Sequence, residues 1–80
     1  MKPHEAIDYL QKDLSVSFGD GLATQIMMSA RSTAQAPVIS LDKAQYTEIV
    51  HKVCKDPRVV GMLGELTVRE KLVLWEQLVN

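Results

Sequence analysis

The residues from Leu41 to Pro57 carry the sequence feature that most constrains the fold of this chain. Asp42 can cap a helix, and Gln45 stands three residues later, where its side chain can return a hydrogen bond to the cap. Apolar residues then recur at helical spacing until Asp56-Pro57 breaks the pattern. They are Tyr46, Ile49, Val50, Val53 and Cys54. This pattern predicts a helix over residues 43–55 with a fixed register and one apolar face.

Further apolar stripes predict four more helices along the chain. Pro3 suits the first position of a helix, and Pro57 suits the first position of a short one. We expect an all-α fold, a compact bundle of four main helices and one short helix, in a single domain of residues 1–80. With the helix at 43–55, the predicted spans are about 3–13, 21–34, 57–63 and 68–79.

Local patterns set three of these helix boundaries. Leu14–Phe18 alternates apolar and polar residues with a period of two, which is typical of an extended segment, so the first helix is expected to end near Asp13. Gly64 is the expected stop of the short helix. Thr67 and Glu70 have the spacing of a second capping box, which predicts that the last helix begins at residue 68.

Charge and cysteine content limit the classes of partner. The 80 residues hold nine Lys and Arg against ten Asp and Glu, a net charge of −1, and the two signs are interspersed. Such a charge distribution creates no positive electrostatic potential strong enough to attract nucleic acid or an anionic membrane. Cys54 is the one cysteine, so no internal disulfide forms. With no signal segment and no membrane-spanning run, we expect a cytoplasmic protein.

The residues with chemical potential do not combine into a catalytic or metal site. His51 and Cys54 are three apart on the third predicted helix and could share a metal ion. Zinc needs three or four ligands, however, and only His4 and scattered carboxylates remain to complete the set. No nucleophile stands beside a base, and no glycine-rich phosphate loop is present. We therefore expect no catalytic residues, no metal and no cofactor.

Ser40-Leu41-Asp42 places a serine at the head of the third helix. This run resembles the Asp-Ser-Leu attachment site of acyl and peptidyl carrier proteins. The resemblance covers three residues and the size of the chain, and it implies a phosphopantetheine arm on Ser40. Ile39 stands where that family has Asp, and residues 21–34 are predicted as helix where the family has a long loop. A carrier-like protein modified at Ser40 is one alternative function.

The short helix, the turn after it and the last helix have the proportions of a helix-turn-helix. That motif places its second helix in the major groove of DNA. Arg69, Lys71 and Gln77 are the side chains that could reach phosphates and bases. Glu70 and Glu76 on the same helix largely cancel the attraction to phosphate. DNA binding by the last helix is a second alternative, which the charge balance disfavours.

Four apolar residues lie outside the core stripes of their helices. Met28 falls opposite the apolar face of the second helix, and Val73 stands similarly apart on the fifth. Leu74 widens the apolar arc of the fifth helix, and Tyr9 lies off the stripe of the first. Such residues are either ordinary single exposures or parts of a contact surface. We hypothesise a non-catalytic interaction or regulatory module that contacts another protein or self-associates through helices 2 and 5.

Overall fold

Five α-helices make up nearly all of residues 1–34 and 41–79, the part of the chain that the computed structural model describes. No strand occurs in these residues, so the predicted all-α fold is confirmed. In chain order the helices are α1 (Pro3–Phe18), α2 (Asp20–Thr33), α3 (Lys43–Lys55), α4 (Pro57–Leu63) and α5 (Glu65–Gln77). The bounds predicted for α3 and α4 are confirmed, and those predicted for α2 are within one residue.

α3 is the central element, because all four other helices pack against it. Its start is fixed by the predicted capping box: the Gln45 amide donates to an Asp42 carboxylate oxygen at 2.8 Å, and the Asp42 amide donates to the Gln45 side chain at 3.0 Å. This cap sets the register that buries the whole predicted stripe from Tyr46 to Cys54.

α1 is five residues longer than the sequence pattern predicts, so the expected extended connector at Leu14–Phe18 was wrong. Leu14 is buried one turn after Leu10 and continues the apolar stripe of the helix, while Val16 points to solvent. The apparent alternation therefore arises from a helix in which only some of the apolar residues face the core. Gly19 ends α1, since its positive φ of 81° is a conformation that glycine adopts without strain.

α5 begins at Glu65 and not at residue 68, so Thr67 is not its cap. Gly64 adopts a φ of 83° and serves both helices: its amide donates to the Val60 carbonyl at 2.9 Å, and its carbonyl accepts from the Val68 amide at 3.0 Å. The chain changes direction within this single residue, and α5 starts immediately afterwards. The pair Thr67 and Glu70 consequently lies within α5, where the Glu70 amide that a Thr67 cap would bind is already bonded to a backbone carbonyl of the helix.

The core consists of apolar side chains alone, since no polar or charged residue is fully buried among the described residues. Trp75 and Tyr46 are its largest members, and the Tyr46 hydroxyl donates to the Trp75 carbonyl. This hydrogen bond satisfies a hydroxyl that would otherwise be buried without a partner. It also joins α3 to the last turn of α5.

Substitution by Ala is expected to have different effects on stability at the two capping patterns. Asp42→Ala removes an observed cap, and we expect it to lower the free energy of unfolding by about 1 kcal/mol in urea denaturation. Thr67→Ala is the matched control, because Thr67 lies within α5 and caps nothing. A loss of similar size in the Thr67 variant would contradict the observed start of α5.

Candidate functional site

Eight large apolar side chains are exposed in residues 1–34 and 41–79, and all four predicted interaction residues are among them. The eight are Met1, Tyr9, Val16, Met28, Met62, Leu66, Val73 and Leu74. Each of them keeps at least half of its surface accessible. Single exposed apolar residues are normal in proteins, so only those that the fold brings together indicate a contact surface.

α5 carries apolar side chains on two opposite faces. Its inner face packs into the core through Val68, Leu72 and Trp75. Its opposite face, which we call the outer face of α5, consists of Leu66, Val73 and Leu74 with Glu70 and Gln77 between them. Leu66 and Val73 are seven residues apart, which is two helical turns, so they lie in line along this face. No other helix of the described residues presents three exposed apolar side chains in this way.

Side chains of α1 and α5 meet at Asp13. The Asp13 carboxylate accepts a hydrogen bond from the Trp75 indole at 2.8 Å and lies 3.2 Å from the Lys71 ammonium group. Because the indole belongs to the core, this carboxylate fixes the position of α1 beside α5. We call this contact the α1–α5 junction.

Two of the exposed apolar residues lie on α1 next to this junction. Tyr9 and Val16, together with Lys12 and Asp13, line a shallow depression of about 240 Å³. We call the surface formed by Tyr9, Lys12 and Val16 the α1 flank. Across the junction, Leu74 stands three residues from Lys71, on the adjacent turn of α5. The structure thus places Tyr9 and Leu74 on either side of the α1–α5 junction, whereas Val73 lines a different depression, with Lys43 and Thr47 of α3.

Met28 is placed elsewhere. α2 packs against α1 and α3, and α5 packs against α3 and α4. The residues one turn before and after Met28 on its helix, Thr24 and Ser32, are exposed and polar. Met28 is therefore a single exposed residue, and the outer face of α5 is not continuous with it.

The sequence did not single out Leu66 or Val16 as contact residues. The capping pattern at Thr67 predicts a turn at Leu66, and the alternation over Leu14–Phe18 predicts an extended segment that contains Val16. Their signal was present, since Leu66 lies two turns before Val73 and Val16 lies two turns after Tyr9. This seven-residue spacing indicates a shared helix face only when both residues are known to be helical.

A second surface feature is a groove of about 480 Å³, lined by residues of α3, α4 and α5. Cys54 and Val68 are among its buried lining residues, and His51 lies at its edge. The His51 imidazole is engaged by Glu76 at 2.6 Å, and the Cys54 thiol points to the Val68 carbonyl at 4.0 Å. The described residues hold no group of three or more His, Cys, Asp or Glu side chains with the geometry of a metal site.

The core holds two groups whose proton affinity is shifted by their surroundings. Burial raises the pKa of the Cys54 thiol to about 11, and the negative charge of Glu76 adds to the increase. The same two causes raise the pKa of the Tyr46 hydroxyl to about 12. The thiol is therefore protonated and unreactive near neutral pH, as expected for a cysteine of the core.

The geometry lends no support to DNA binding by α5. Lys71, one of the basic side chains that such binding needs, is held by Asp13 at the α1–α5 junction. Arg69 remains exposed, but Glu65 and Glu70 stand on the same helix. A surface with this balance of charge attracts phosphate weakly.

The comparisons with known proteins add no family to these observations. Neither the protein-family models, nor the curated proteins, nor the solved structures give a match to this chain. Ser40, the residue of the carrier-protein alternative, lies outside the described residues. None of the helices in the described part of the chain is long and apolar enough to cross a membrane.

Removal of the carboxylate at Asp13 is expected to destabilise the fold. In Asp13→Ala the buried indole N–H of Trp75 loses its partner, and we expect a loss of about 1–3 kcal/mol in the free energy of unfolding. Asp13→Asn is the control, because an amide oxygen still accepts from the indole. Fluorescence of Trp75, the single tryptophan, reports unfolding directly. Equal losses in the two variants would contradict this role of the hydrogen bond.

The raised pKa of Cys54 predicts a loss of stability in alkali. Below pH 9, its ordinary pKa, the thiol is protonated in both folded and unfolded states, so its contribution to stability is fully present. Between pH 9 and about 11 the unfolded state gives up its proton first, and the folded state is disfavoured. Cys54→Ala should show a shallower decline over this interval in urea denaturation at each pH. A decline as steep as that of the unsubstituted chain would contradict the assignment.

Proposed function

We propose that this chain is a non-catalytic protein–protein interaction module that self-associates through the outer face of α5. The observation that carries the proposal is the pair of opposite apolar faces on α5, of which the fold buries only one. Aliphatic side chains such as Leu66, Val73 and Leu74 supply contact area but no acid, base or nucleophile. A binding role therefore fits the chemistry of this surface better than catalysis does.

The size of the outer face indicates that the contact surface extends beyond α5. A helix of 13 residues is about 20 Å long and about 10 Å wide, so one face offers about 200 Å². A specific interface buries about 800 Å² on each partner. The surface that flanks α5 across the α1–α5 junction is the part of the molecule that can enlarge it. There, Tyr9 and Val16 are the exposed apolar residues.

The three apolar side chains of the outer face do not by themselves provide enough free energy for association. Complete burial of a Leu or Val side chain stabilises by about 1.5–3 kcal/mol, and Leu66, Val73 and Leu74 are already partly buried. Together they contribute on the order of 3–4 kcal/mol to association. Loss of translational and rotational freedom costs at least about 4 kcal/mol, so these residues alone do not hold two molecules together.

A second copy of the chain is the partner that we favour. The net charge of −1 means that two copies repel each other only weakly. In a twofold pair each apolar face is used twice, which doubles the area gained from one patch. The free, buried thiol of Cys54 is consistent with a reducing compartment such as the cytoplasm, where we propose that the module works.

The proposal is tested with two Asp substitutions at exposed helical positions. Leu74→Asp places a charge in the outer face of α5, and Met28→Asp places one on α2, away from it. In sedimentation over a wide range of protein concentration, we expect Leu74→Asp to raise the dissociation constant of the dimer about tenfold or more. Met28→Asp is expected to behave like the unsubstituted chain.

The fold of both variants is checked by circular dichroism, because the comparison requires intact monomers. An unsubstituted chain that stays monomeric at every concentration would overturn the proposal. Equal weakening by the two substitutions would also count against it, since it would remove the distinction between α5 and α2.

A further inference from the structure

The α1 flank has the properties of a receiving surface for another helix. Val16 is 87% exposed, the highest value among the large apolar side chains of the described residues, and Tyr9 is half exposed. Between them the depression of about 240 Å³ opens to solvent. A Leu or Val side chain is small enough to enter a space of this size. Lys12 and Asp13 are the charged residues that line the same depression, and Asp13 is already paired with Lys71.

The outer face of α5 and the α1 flank match in spacing and charge. On α5, Glu70 and Leu74 are four residues apart, which places them on adjacent turns of one helix face. On α1, Lys12 has Val16 four residues after it and Tyr9 three residues before it. A second α5 that places Glu70 beside Lys12 therefore brings Leu74 against an apolar residue, whichever direction the helix runs.

The two charges of this match are free to pair. The ion pairs in residues 1–34 and 41–79 are Asp13 with Lys71, His51 with Glu76 and Asp56 with Arg58. Lys12 and Glu70 take part in none of them, and both side chains are exposed. Opposite charges on two facing surfaces guide the encounter of the partners and fix their register.

We infer that the occupant of the α1 flank is α5 of a second copy, with Leu74 in the depression and Glu70 beside Lys12. The arrangement is reciprocal: α1 of each copy contacts α5 of the other copy. The inference rests on the proposed self-association and identifies the surface that contacts the outer face of α5. Each copy supplies one outer face and one flank, and the contact closes as a dimer.

The α1–α5 junction makes this arrangement geometrically consistent. A twofold axis that runs along the junction leaves every residue at its own height along that axis. Within one copy the Asp13 carboxylate contacts both Lys71, at 3.2 Å, and Trp75, at 2.8 Å, so it lies between two adjacent turns of α5. For an axis parallel to both helices, Glu70 of the second copy then lies within about one helical turn of Lys12, a distance that the long Lys and Glu side chains can span.

Charge reversal tests the inference. We expect Lys12→Glu and Glu70→Lys each to raise the dissociation constant of the dimer about tenfold, since each places like charges together twice. The double variant restores the opposite pairing, and its dissociation constant should return to within about threefold of the unsubstituted value. The effects of the single variants should shrink in high salt, because exposed charges are screened.

Lys55→Glu is the matched control, because it makes the same change of charge at an exposed position outside both surfaces. It should leave the dissociation constant within about threefold of the unsubstituted value. A double variant no tighter than the single ones would overturn the docking of α5 on the α1 flank. If Leu74→Asp still disrupts the dimer in that case, the proposed self-association stands and only this arrangement fails. A monomer at every concentration would overturn both.

Discussion

The rest of the structure depends on how Trp75 is held. Its ring is buried in the core, its indole N–H donates to Asp13 of α1, and its carbonyl accepts from the Tyr46 hydroxyl of α3. One residue thus connects three helices that are distant in the chain. Because a buried indole and a buried hydroxyl both need partners, these contacts allow one rotation of α5 about its axis. That rotation decides which side of α5 faces solvent.

Once Trp75 is fixed inward, the helical period leaves little freedom for the other apolar residues of α5. Val68 lies two turns before Trp75 and is buried with it, whereas Leu66 and Val73 fall on the opposite side. α5 thereby has less separation of apolar and polar residues than the other long helices of the chain. The exposed face follows from the same constraint that builds the core, and a different rotation would expose the indole.

Patterns within one helix could be predicted from the sequence, while contacts between distant segments could not. The start of α3 could be predicted because the two residues of its capping box are three apart and bond to each other. Thr67 and Glu70 have the same spacing but lie inside a helix, because Gly64 starts α5 earlier. The hydrogen bond between Asp13 and Trp75 joins residues 62 positions apart, and no local sequence pattern predicts it. This pairing places the α1 flank beside α5, which the sequence pattern of α1 alone does not show.

The size of the domain explains why a second apolar face is compatible with a stable fold. A chain of 80 residues buries only about 60% of the surface of its unfolded form, so it cannot enclose a helix on all sides. The inner face of α5 provides folding energy, and the outer face remains available for the association that we propose, which would add stability by mass action. In that proposal Trp75 and Leu74, although adjacent in sequence, serve these two purposes separately. Folding and the proposed association are then coupled through one helix but carried by different side chains.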